Sequence, residues 1–596
     1  MRRNIVLFAF CLLGCQLVQG QYRIKSPEEK AGFDAIPQEI AFLHFNDNML
    51  LAGEYLYYKF YCLNAKDHKP SKVSRIAYVE LVGEDKIPVF KHKIALNSGT
   101  GTGDFFFPTS ISTGTYKLIG YTQWMRNSSV ELFFTSDIYI LNPYLELPSD
   151  TSTVNDGISG TSIDTVPDIV PDIIGLVDSI QNDFQIGITL PQMKYSSRAA
   201  VNLRIDNPKG IIGNYSISVR KKDSFKLAKN ISAANYIKDF QVPFEPEGYY
   251  QNDLIYLPEI RGELISGRVT NDSLGQPYAS KDVSLSIPES DRGILRIVRT
   301  DSEGSFYAVI EQFRNNSRAE VQLLEEDQNA YVIENTTNKP IDYDKLKFEP
   351  FPLNSEMNSA ILERSIYNQI ESAYFEKKQD SIRVAPNELD VHEYLTNIFN
   401  LDDYTRFPSL RETIVEIIDD VFIRKLNGKF VFQVRESDRF FVDSSHLPLL
   451  MVDGVFIKDH EALLNYGTAN IESISFSKDR YYVGPKIFHG IISVKTSNGD
   501  YQSLLNSNNL SSWDIPGPTP VKKYYQQQYG EGNSDEHKNL PDFRHQLMWK
   551  PQLELSSKSN NLIFFTSDNT GEFEICLEGF TNEGVPVSLS QTFYVE

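Results

Sequence analysis

Cysteine is scarce in this chain, and its placement leaves little scope for disulfides. Four cysteines occur in 596 residues, and Cys11 and Cys15 lie within the first twenty. Cys62 is in line with apolar and aromatic neighbours on its strand, whereas Cys576 falls on the side of its strand that carries glutamates. Because their surroundings differ in this way, we expect Cys62 and Cys576 to be free thiols.

Long apolar runs are absent after the N-terminus. Beyond the first twenty residues, no segment has the roughly eighteen consecutive apolar residues that a membrane-spanning helix requires. The first twenty combine a positive start at Arg2 and Arg3, an apolar core over Ile5–Leu13 and a small-residue cleavage site. This pattern predicts a secretory signal peptide over residues 1–20. An alternative is a lipobox-like Leu-Leu-Gly-Cys, which would place a lipid on Cys15.

Positive charge is in deficit. The chain has 58 lysines and arginines against 79 aspartates and glutamates, which gives a net charge of −21. Removing the leader, which contains Arg2 and Arg3 and no acid, makes the net charge −23. Nucleic-acid binding depends on neutralising phosphates with basic side chains, so this balance opposes it. Nucleic acid is therefore not an expected partner.

Recognisable catalytic motifs are also missing from the sequence. The nine histidines are scattered, and His392-Glu393 lacks the second histidine that a helical zinc site needs. No G-x-S-x-G elbow occurs. The glycine-rich segment Gly99–Gly103 lacks the lysine of a phosphate loop and leads into FFFP, which favours a hairpin connection. We expect no catalytic residue, no metal and no cofactor, and hence no enzymatic activity.

Aromatic and β-branched residues in short alternating runs are abundant. The chain contains 32 tyrosines and 37 phenylalanines, and such runs are typical of half-buried strands. Two helical stripes stand out, one over Ser355–Lys378, with Leu362, Ile366 and Ile370 expected to pack inward, and one over Ser409–Val421. About 100 to 150 residues per domain predicts roughly four to six domains. The fold class is predicted to be mainly β.

The first domain is predicted over residues 36–144, with the rhythm of a β-sandwich. Its strands are predicted at Tyr55–Leu63, Ile76–Val82, Tyr116–Tyr121 and Ile138–Leu141. The stretches AGEYLYYKFYCLN, GTYKLIGYTQWMRN and IYILNPY resemble the second macroglobulin-type domain of Bacteroidetes envelope proteins, and Gly53-Glu54 and the YT-x-W-M-R-N segment are its strongest marks. Macroglobulins that trap proteases use a Cys-Gly-Glu-Gln thioester. Neither Cys62 nor Cys576 is followed by those residues, so trapping is not expected.

Further modules follow the first domain. Residues 145–183 are rich in Asp, Ser, Thr, Ile and Pro without a period and are predicted to be a linker. Residues 184–255 are predicted to form a second β-sandwich, because apolar and polar residues alternate in VNLRID. Residues 256–350, from YLPEIRGELISGRV to TDSEGSFYAVI, resemble a carboxypeptidase regulatory-like domain, a transthyretin-like sandwich that carries no peptidase chemistry. Residues 355–378 are the predicted packing helix.

Residues 404–500 are similar to the plug domain of TonB-dependent outer-membrane receptors. The similarity rests on LPLLMVDGVFI and NIESISFSKDRYYVGPKIFHGIISVKTSNGD, short apolar runs bounded by glycine turns. It implies turn and strand roles, structural rather than binding, for seven positions: Val452, Asp453, Gly454, Ile471, Glu472, Gly484 and Gly490. Only 96 residues follow Asp500, too few for a barrel of about twenty-two strands. The module is therefore expected to dock on a membrane partner or to act as a spacer.

The remaining segments are a second predicted linker over residues 501–540 and a predicted C-terminal β module over residues 541–596. Exposed aromatic residues raise a glycan-binding alternative, because sugars stack on flat apolar faces. The candidates are Tyr524, Tyr525, Tyr529, Trp124 and Trp513. Buried packing for Trp124 and plain linker composition for the tyrosines are the competing interpretations.

These features predict serial β-sandwiches of macroglobulin-like and transthyretin-like type, with one small α+β plug-like module. The expected function is that of a non-catalytic accessory or scaffold protein of the bacterial outer membrane or periplasm. It would dock on an envelope protein partner, with a TonB-dependent transport system as one candidate. A surface-exposed adhesin or glycan-binding protein is the alternative. The mature chain is expected to have no membrane-spanning segment.

Overall fold

A computed structural model describes the greater part of the chain. The described residues are 21–128, 133–145, 186–222, 230–240, 254–271, 275–288, 293–311, 317–325, 331–337, 340–351, 357–382, 395, 397–435, 446–504, 510–529, 540–555 and 558–596. The predicted signal peptide with Cys15, residues 146–183 of the first predicted linker, and His392-Glu393 lie outside them. The mainly β fold class is confirmed, because most of the described elements are strands arranged in sheets.

The strands follow one another along the described residues from near the N-terminus to the last residues of the chain. In chain order they are β1 Tyr22–Arg23, β2 Glu39–Phe45, β3 Met49–Leu51, β4 Tyr55–Asn64, β5 Ile76–Gly83, β6 Pro88–Ala95, β7 Thr100–Phe106, β8 Gly114–Tyr121, β9 Phe134–Leu141, β10 Gly187–Thr189, β11 Lys194–Tyr195, β12 Ala200–Asp206, β13 Gly213–Lys221, β14 Leu254–Ile255, β15 Glu263–Asn271, β16 Asp282–Ile287, β17 Ile294–Arg299, β18 Ser305–Ile310, β19 Ser317–Leu323, β20 Tyr331–Asn335, β21 Ser381–Ile382, β22 Asn397–Asn400, β23 Val421–Leu426, β24 Lys429–Val434, β25 Leu449–Val452, β26 Val455–Phe456, β27 Ile471–Val483, β28 Lys486–Thr496, β29 Leu510–Ile515, β30 Lys522–Lys523, β31 Gln546–Glu554, β32 Ser559–Phe565, β33 Gly571–Thr581 and β34 Pro586–Val595.

Helices are short and few by comparison. They are α1 Pro27–Asp34, α2 Ala233–Asp239, α3 Asn358–Ala373, α4 Leu410–Ile417 and α5 His460–Leu464. Short 3-10 turns occur at Trp124–Asn127, Phe375–Lys377, Leu401–Asp403, Thr468–Asn470 and Asp500–Leu504. Within the part of the chain that the structure describes, none of these helices is long and apolar enough to cross a membrane.

The described residues form two compact units. We call one the terminal unit, because it contains Tyr22–Ile260, Ile341–Val384 and Thr519–Glu596. The other, the inserted unit, contains Arg261–Pro340 and Ala385–Pro518. Each unit has its own hydrophobic cores, as expected for a chain too long for a single core.

The first β-sandwich of the terminal unit consists of strands β2 to β9. One sheet has the order β2-β4-β7 and the other β3-β9-β8-β5-β6. The four strands predicted from the sequence are all present, with slightly longer bounds. Their core is aromatic: the ring of the fully buried Phe42 lies 5.8 Å from the ring of Phe134 and 6.0 Å from that of Tyr61. Such ring pairs add to the stability gained from burial.

The glycine-rich segment Gly99–Gly103 is mostly strand. Gly99 occupies the turn with φ +75°, while Gly101 and Gly103 belong to β7. A Cβ on Gly101 would lie 2.3 Å from Ile94 Cγ2, and one on Gly103 would lie 2.3 Å from the Tyr58 hydroxyl. The predicted hairpin connection is wrong, because β6 and β7 belong to different sheets and the turn at Gly99 passes from one sheet to the other. Gly101 and Gly103 admit a close approach between β7 and its neighbours.

A second β-sandwich combines two segments that the sequence analysis separates. Its sheets have the orders β10-β12-β32 and β11-β34-β33-β13-β31. Strand β13 lies between β31 and β33, so Ser218 is opposite both Trp549 and Cys576. Residues 184–255 and 541–596 are therefore parts of one sandwich and not two modules. Neither segment has enough strands to cover an apolar sheet face by itself.

A buried polar layer joins the two sandwiches of the terminal unit. Ser216 Oγ lies 2.6 Å from His44 Nδ1 and 2.8 Å from the Tyr61 hydroxyl. Lys59, which has no exposed surface, donates hydrogen bonds to the Asn214 side chain and, at 3.0 Å, to the Tyr215 carbonyl. Burial, with the nearby Lys59 cation, lowers the pKa of His44 to about 3. His44 is therefore neutral at physiological pH.

Cys62 and Cys576 lie in different sandwiches and are both free thiols. Cys62 on β4 is buried, and its thiol donates a hydrogen bond to Glu39 at 3.2 Å. Cys576 on β33 alternates with the buried Phe573, Ile575 and Leu577, as the sequence predicts. Burial raises the pKa of both thiols. Neither cysteine is therefore suited to nucleophilic chemistry, which needs a thiolate.

Helix α3 buries a different face from the predicted one. The sequence analysis places Leu362 and Ile366 inward, but these side chains are 63% and 47% exposed. The buried side chains are Ile361, Arg364 and Ser365. The predicted inward stripe is wrong because Arg364 pairs with the Glu54 carboxylate inside the unit, and this pair sets the rotation of the helix. Ser355, the predicted helix start, lies outside the described residues.

The inserted unit contains a third β-sandwich, with sheets β18-β15-β20 and β17-β16-β19-β29. Strand β29 comes from residues 501–540, which the sequence analysis assigns to a linker, and pairs with β19. Trp513 on β29 stacks on Phe306 with ring centroids 6.1 Å apart. The linker prediction was wrong over 510–515, because Trp513 and Ile515 supply two inward positions within a polar segment.

The rest of the inserted unit contains a small mixed sheet with the order β22-β27-β28-β25-β26 and the two-stranded sheet β23-β24. Strand β25 pairs parallel with β28, and β27 pairs antiparallel with it. Helix α4 starts after Ser409, whose hydroxyl accepts a hydrogen bond from the Glu412 amide, and it ends at Ile417. The helix predicted to reach Val421 is thus shorter, since Val421 begins β23.

Candidate functional site

The plug-like positions on β25 and β26 form a turn. Asp453 and Gly454 have φ of +49° and +81° and connect Val452 to Val455. The Asp453 carboxylate accepts hydrogen bonds from the Thr496 amide and hydroxyl, both at 2.7 Å. A short side chain that tolerates positive φ and can accept these bonds explains aspartate here. The turn thereby ties β25 to the end of β28.

Two of the plug-like glycines lie against backbone of the third sandwich. A Cβ on Gly454 would lie 2.7 Å from the Gly293 Cα, and a Cβ on Gly484 would lie 1.8 Å from the Ile297 carbonyl oxygen. Nearby, Gln322 donates a hydrogen bond to the Phe456 carbonyl at 2.8 Å. These glycines therefore permit close packing inside the inserted unit, and they do not present a ligand site.

The remaining plug-like positions also have structural surroundings. Ile471 is fully buried at the start of β27, and a Cβ on Gly490 would meet Val434 at 2.8 Å. Glu472 is 52% exposed and lies 3.3 Å from Lys495 in a surface ion pair. The structure brings Val452, Asp453 and Gly454 together in one turn and places Ile471 opposite Thr496, the residue that bonds to Asp453.

Replacing Asp453 with alanine is expected to destabilise the inserted unit by about 2–3 kcal/mol, since it removes two hydrogen bonds and leaves a non-glycine residue at positive φ. The matched control is Glu472→Ala, which removes an exposed ion pair and should cost less than about 0.5 kcal/mol. Urea unfolding followed by hydrogen exchange of β28 measures both. Equal effects of the two substitutions would contradict the structural role of Asp453.

The aromatic candidates named from the sequence have different positions. Trp124 is fully buried and donates its indole N–H to the Pro37 carbonyl at 3.1 Å, and Trp513 lies in the core of the third sandwich. Both are therefore packing residues. The Tyr529 hydroxyl donates to Asp542 at 2.7 Å. Tyr524 and Tyr525, by contrast, line a cavity of the terminal unit.

This cavity has a volume of about 850 Å³ and is the candidate functional site. Three parts of the terminal unit enclose it: the β3–β4 turn and β4 of the first sandwich, the start of β31 in the second sandwich, and helix α3. Its size lies in the range of small-molecule sites, about 300–1,000 Å³. The elements around it are strands and a helix held by buried contacts, so the cavity is preformed.

A row of aromatic rings extends along the cavity wall. Tyr55 and Tyr57 both point to one side of β4, with near-parallel rings 5.6 Å apart. Tyr55 also lies 6.3 Å from the ring of Phe375, and Tyr57 lies 6.1 Å from that of Trp549. Phe375 is 47% exposed whereas Trp549 is 3% exposed. We call these four residues and Phe106, which lies 5.0 Å from Tyr55, the aromatic row. It leads from the surface into the unit.

Several charged groups of the wall are paired with one another, while Lys221, Glu363 and Asp380 are hydrogen-bonded to neutral groups. Arg364 donates to both oxygens of Glu54 at 2.8 Å, with side chains that are 6% and 13% exposed. Lys378 lies 2.6 Å from Glu371 and Lys222 lies 3.1 Å from Glu572. The lining has five lysines and arginines against six aspartates and glutamates, and this near balance of charge reduces its selectivity for a charged ligand.

A second bidentate pair supports the segment behind the aromatic row. Arg544 donates to both carboxylate oxygens of Asp542, at 2.6 and 2.7 Å. Burial alone would raise the pKa of Asp542, but Arg544 and Lys378 lower it to about 2. Because Asp542 stays ionised, this support persists across the physiological pH range.

Two buried polar atoms of cavity-lining residues lack a hydrogen-bond partner among the described residues. They are Asp47 Oδ2 and Trp549 Nε1, whose residues are 4% and 3% exposed. The nearest cations to Asp47 Oδ2 are Arg364 Nη2 at 3.5 Å and His545 Nε2 at 3.9 Å. Asp47 Oδ2 can accept a hydrogen bond and Trp549 Nε1 can donate one, so a group that both donates and accepts could satisfy the two atoms.

Sequence reasoning missed most of this cavity. Gly53-Glu54 stands out in the sequence as a family mark, but its partner Arg364 is far away in the chain. The alternation that places Tyr55 and Tyr57 on one side of β4 was the available signal. Among the described residues, no group of three histidine, cysteine, aspartate or glutamate side chains could hold a metal ion.

No protein-family model and no curated protein matches the chain. Among solved structures, a mutant of Salmonella alpha-2-macroglobulin is 8% identical, with TM-score 0.23, over 94% of this chain and 40% of that chain. Escherichia coli alpha-2-macroglobulin activated by porcine elastase is 8% identical, with TM-score 0.23, over 94% and 44%. A beta-glucosidase from Listeria innocua in complex with laminaribiose is 15% identical, with TM-score 0.13, over 18% and 16%.

The chain spans less than half the length of the macroglobulins it matches. With 8% identity and TM-scores of 0.23, these matches do not test the resemblance of Ala52–Tyr144 to a macroglobulin-type domain. The values are too low to carry any argument about activity, ligand or partner. The β-sandwich architecture of the chain rests on its own strands.

Proposed function

We propose that this chain is a non-catalytic accessory protein of the bacterial outer membrane or periplasm that docks on an envelope protein. A TonB-dependent transport system is one candidate partner, since residues 404–500 resemble the plug of such receptors. The export signal predicted over residues 1–20 is consistent with this location.

The observation that carries the docking role is the outer face of helix α3. Leu362 and Ile366 lie one helical turn apart and are 63% and 47% exposed, while Arg364 anchors the opposite face to Glu54. Apolar residues on the outer stripe of a rigidly held helix favour burial against another protein. The turn at Asp453-Gly454, covered by the third sandwich, is less suited to this role.

Photo-crosslinking in intact cells tests the proposal. A crosslinker placed at Leu362 should yield a defined adduct with an outer-membrane or periplasmic protein, recovered from isolated membranes. Ile366→Glu should abolish that adduct. The matched control is Ile563→Glu on β32, because Ile563 is 58% exposed in the same unit. Recovery of the protein only as a free soluble monomer, with no adduct at Leu362, would contradict docking.

The second candidate function is that of a surface-exposed adhesin or glycan-binding protein. The aromatic row of the cavity favours it. Protease treatment of whole cells separates the locations, since a surface protein is cleaved and a periplasmic one is protected.

A further inference from the structure

The cavity of the terminal unit has a composition that points to a particular ligand chemistry. Its wall presents the faces and edges of several aromatic rings, of which Tyr57 and Tyr55 are central. Apolar ring faces next to polar groups suit a ligand that alternates apolar and hydroxyl-bearing surfaces. Sugars have this character, because the C–H groups of a pyranose form an apolar face while its hydroxyls lie around the rim.

The near balance of basic and acidic side chains in the cavity lining, five against six, favours a neutral ligand. Glu54, Glu371 and Glu572 each have a basic partner within 3.1 Å. A ligand of net charge would have to compete with these existing pairs and would gain little from the remaining field. A neutral ligand leaves the pairs intact.

Two buried polar atoms without a hydrogen-bond partner among the described residues belong to residues that line the cavity. Within the described residues, Asp47 Oδ2 accepts no hydrogen bond and Trp549 Nε1 donates none. A buried polar atom without a partner costs stability, so such atoms are usually satisfied by water or a ligand. A hydroxyl both donates and accepts, and thus meets the need of the carboxylate and of the indole.

The geometry of β31 opposes the main alternative, addition of a peptide strand at this sheet edge. Its pairing with β13 is irregular on both sides of Met548–Lys550, and Pro551 has no amide hydrogen to offer. The regular register is thus broken into Met548–Lys550 and Leu553–Glu554, whereas strand addition needs a continuous ladder of backbone groups. The edge is therefore poorly suited to an extended peptide.

We propose that this cavity binds a neutral oligosaccharide, which lies along the aromatic row and bonds through its hydroxyls to Asp47 and Trp549. The inference is independent of the docking face on α3, because the cavity lies on the other side of that helix, toward Arg364. Loss of sugar binding and loss of partner docking can thus be measured separately.

The test is isothermal titration of the full mature chain with cellotetraose, maltotetraose, mannotetraose and chitotetraose. Trp549 fluorescence provides a second readout, since this residue ends the aromatic row. At least one of the four neutral sugars should bind. Tetragalacturonate, which carries a negative charge on every ring, should bind at least about tenfold more weakly than the best neutral sugar.

Variants locate the binding in the cavity. Tyr57→Ala removes the centre of the aromatic row. Phe375→Ala removes a ring at its outer end that is 47% exposed, so the fold should tolerate this change. Each should weaken binding by at least about tenfold. The matched control is Tyr594→Ala, because Tyr594 is 48% exposed in the same unit and outside the cavity. That variant should bind as the parent does.

Three outcomes would overturn the proposal. The first is that none of the four sugars binds to the folded chain. The second is that binding is unchanged in Phe375→Ala and in a folded Tyr57→Ala, which would place the sugar elsewhere. The third is that short unstructured peptides bind the cavity in place of sugars, with the same sensitivity to Phe375→Ala.

Discussion

Replacing Arg364 with alanine is expected to lower the free energy of unfolding of the terminal unit by about 3–5 kcal/mol. Its guanidinium is 6% exposed, donates to both oxygens of Glu54 at 2.8 Å, and donates to the Met49 carbonyl at 3.0 Å. Without it, Glu54 becomes a buried carboxylate without its cation, and one side of helix α3 loses its anchor. Urea unfolding measured by tryptophan fluorescence gives the change.

Two companion variants make the Arg364 experiment specific. Arg364→Lys keeps the charge but not the planar fork, so it should recover only part of the loss. Arg204→Ala breaks an arginine–carboxylate pair in the same unit whose side chains are 57% and 29% exposed. It should cost less than about 1 kcal/mol. If Arg364→Ala costs no more than Arg204→Ala, the buried pair does not hold helix α3.

Replacing Glu578 with glutamine is expected to make the chain more stable at alkaline pH and to change little near pH 4. Burial raises the pKa of Glu578 to about 8, even though the Ser588 hydroxyl and the Ala233 amide donate to it at 2.6 and 2.8 Å. The unfolded chain releases this proton near pH 4.5. Between those values the folded chain binds more protons than the unfolded one, so stability falls as pH rises.

The expected gain in stability of the variant follows from the interval between the unfolded pKa of 4.5 and the folded pKa of about 8. Each pKa unit corresponds to about 1.4 kcal/mol, so the stability difference between variant and parent should grow with pH to the order of 4 kcal/mol by pH 8 and then level off. Glutamine keeps an acceptor for the Ala233 amide, which makes it a suitable replacement. Thermal unfolding of both proteins from pH 4 to pH 9 tests this. A difference that does not change with pH would show that Glu578 ionises normally in the folded chain.

Glu574, another carboxylate on β33, provides a control for the pH experiment. Glu574 lies on the same side of β33 and faces Arg220 at 4.0 Å and the Ser590 hydroxyl at 2.9 Å. Glu574→Gln should not reproduce the growing stability between pH 4.5 and pH 8 that Glu578→Gln shows. If both variants gain equally, general acidity of the chain and not burial of Glu578 is responsible.

Local patterns predicted the strands of the first sandwich well. Tyr55–Leu63 and Ile76–Val82 alternate in a way that depends only on residues two apart, and the structure has both strands. The same alternation indicated which residues of β12 face the core and on which side of β33 Cys576 lies. It failed at Leu510–Ile515, where two inward residues in a polar segment were too few to recognise as a strand.

The cavity shows the limit of local reasoning more clearly. Tyr524 and Tyr525 were candidates for contact with a sugar, and they line the cavity, whereas Trp124 and Trp513 are buried in cores. The composition of the surrounding sequence could not distinguish the cavity-lining tyrosines from the buried tryptophans. The difference lies in which other segments pack nearby, and those segments are distant in the chain.

The sequence alone determined the mainly β class, the strands of the first sandwich and the alternation that defines their two faces, because these depend on neighbours along the chain. Only the tertiary structure decided that residues 186–222 and 546–595 share two sheets, and which face of helix α3 is buried. Strand pairing depends on complementary faces meeting across a long loop, and the helix face depends on Glu54 requiring a cation. Neither cause is visible in a local window.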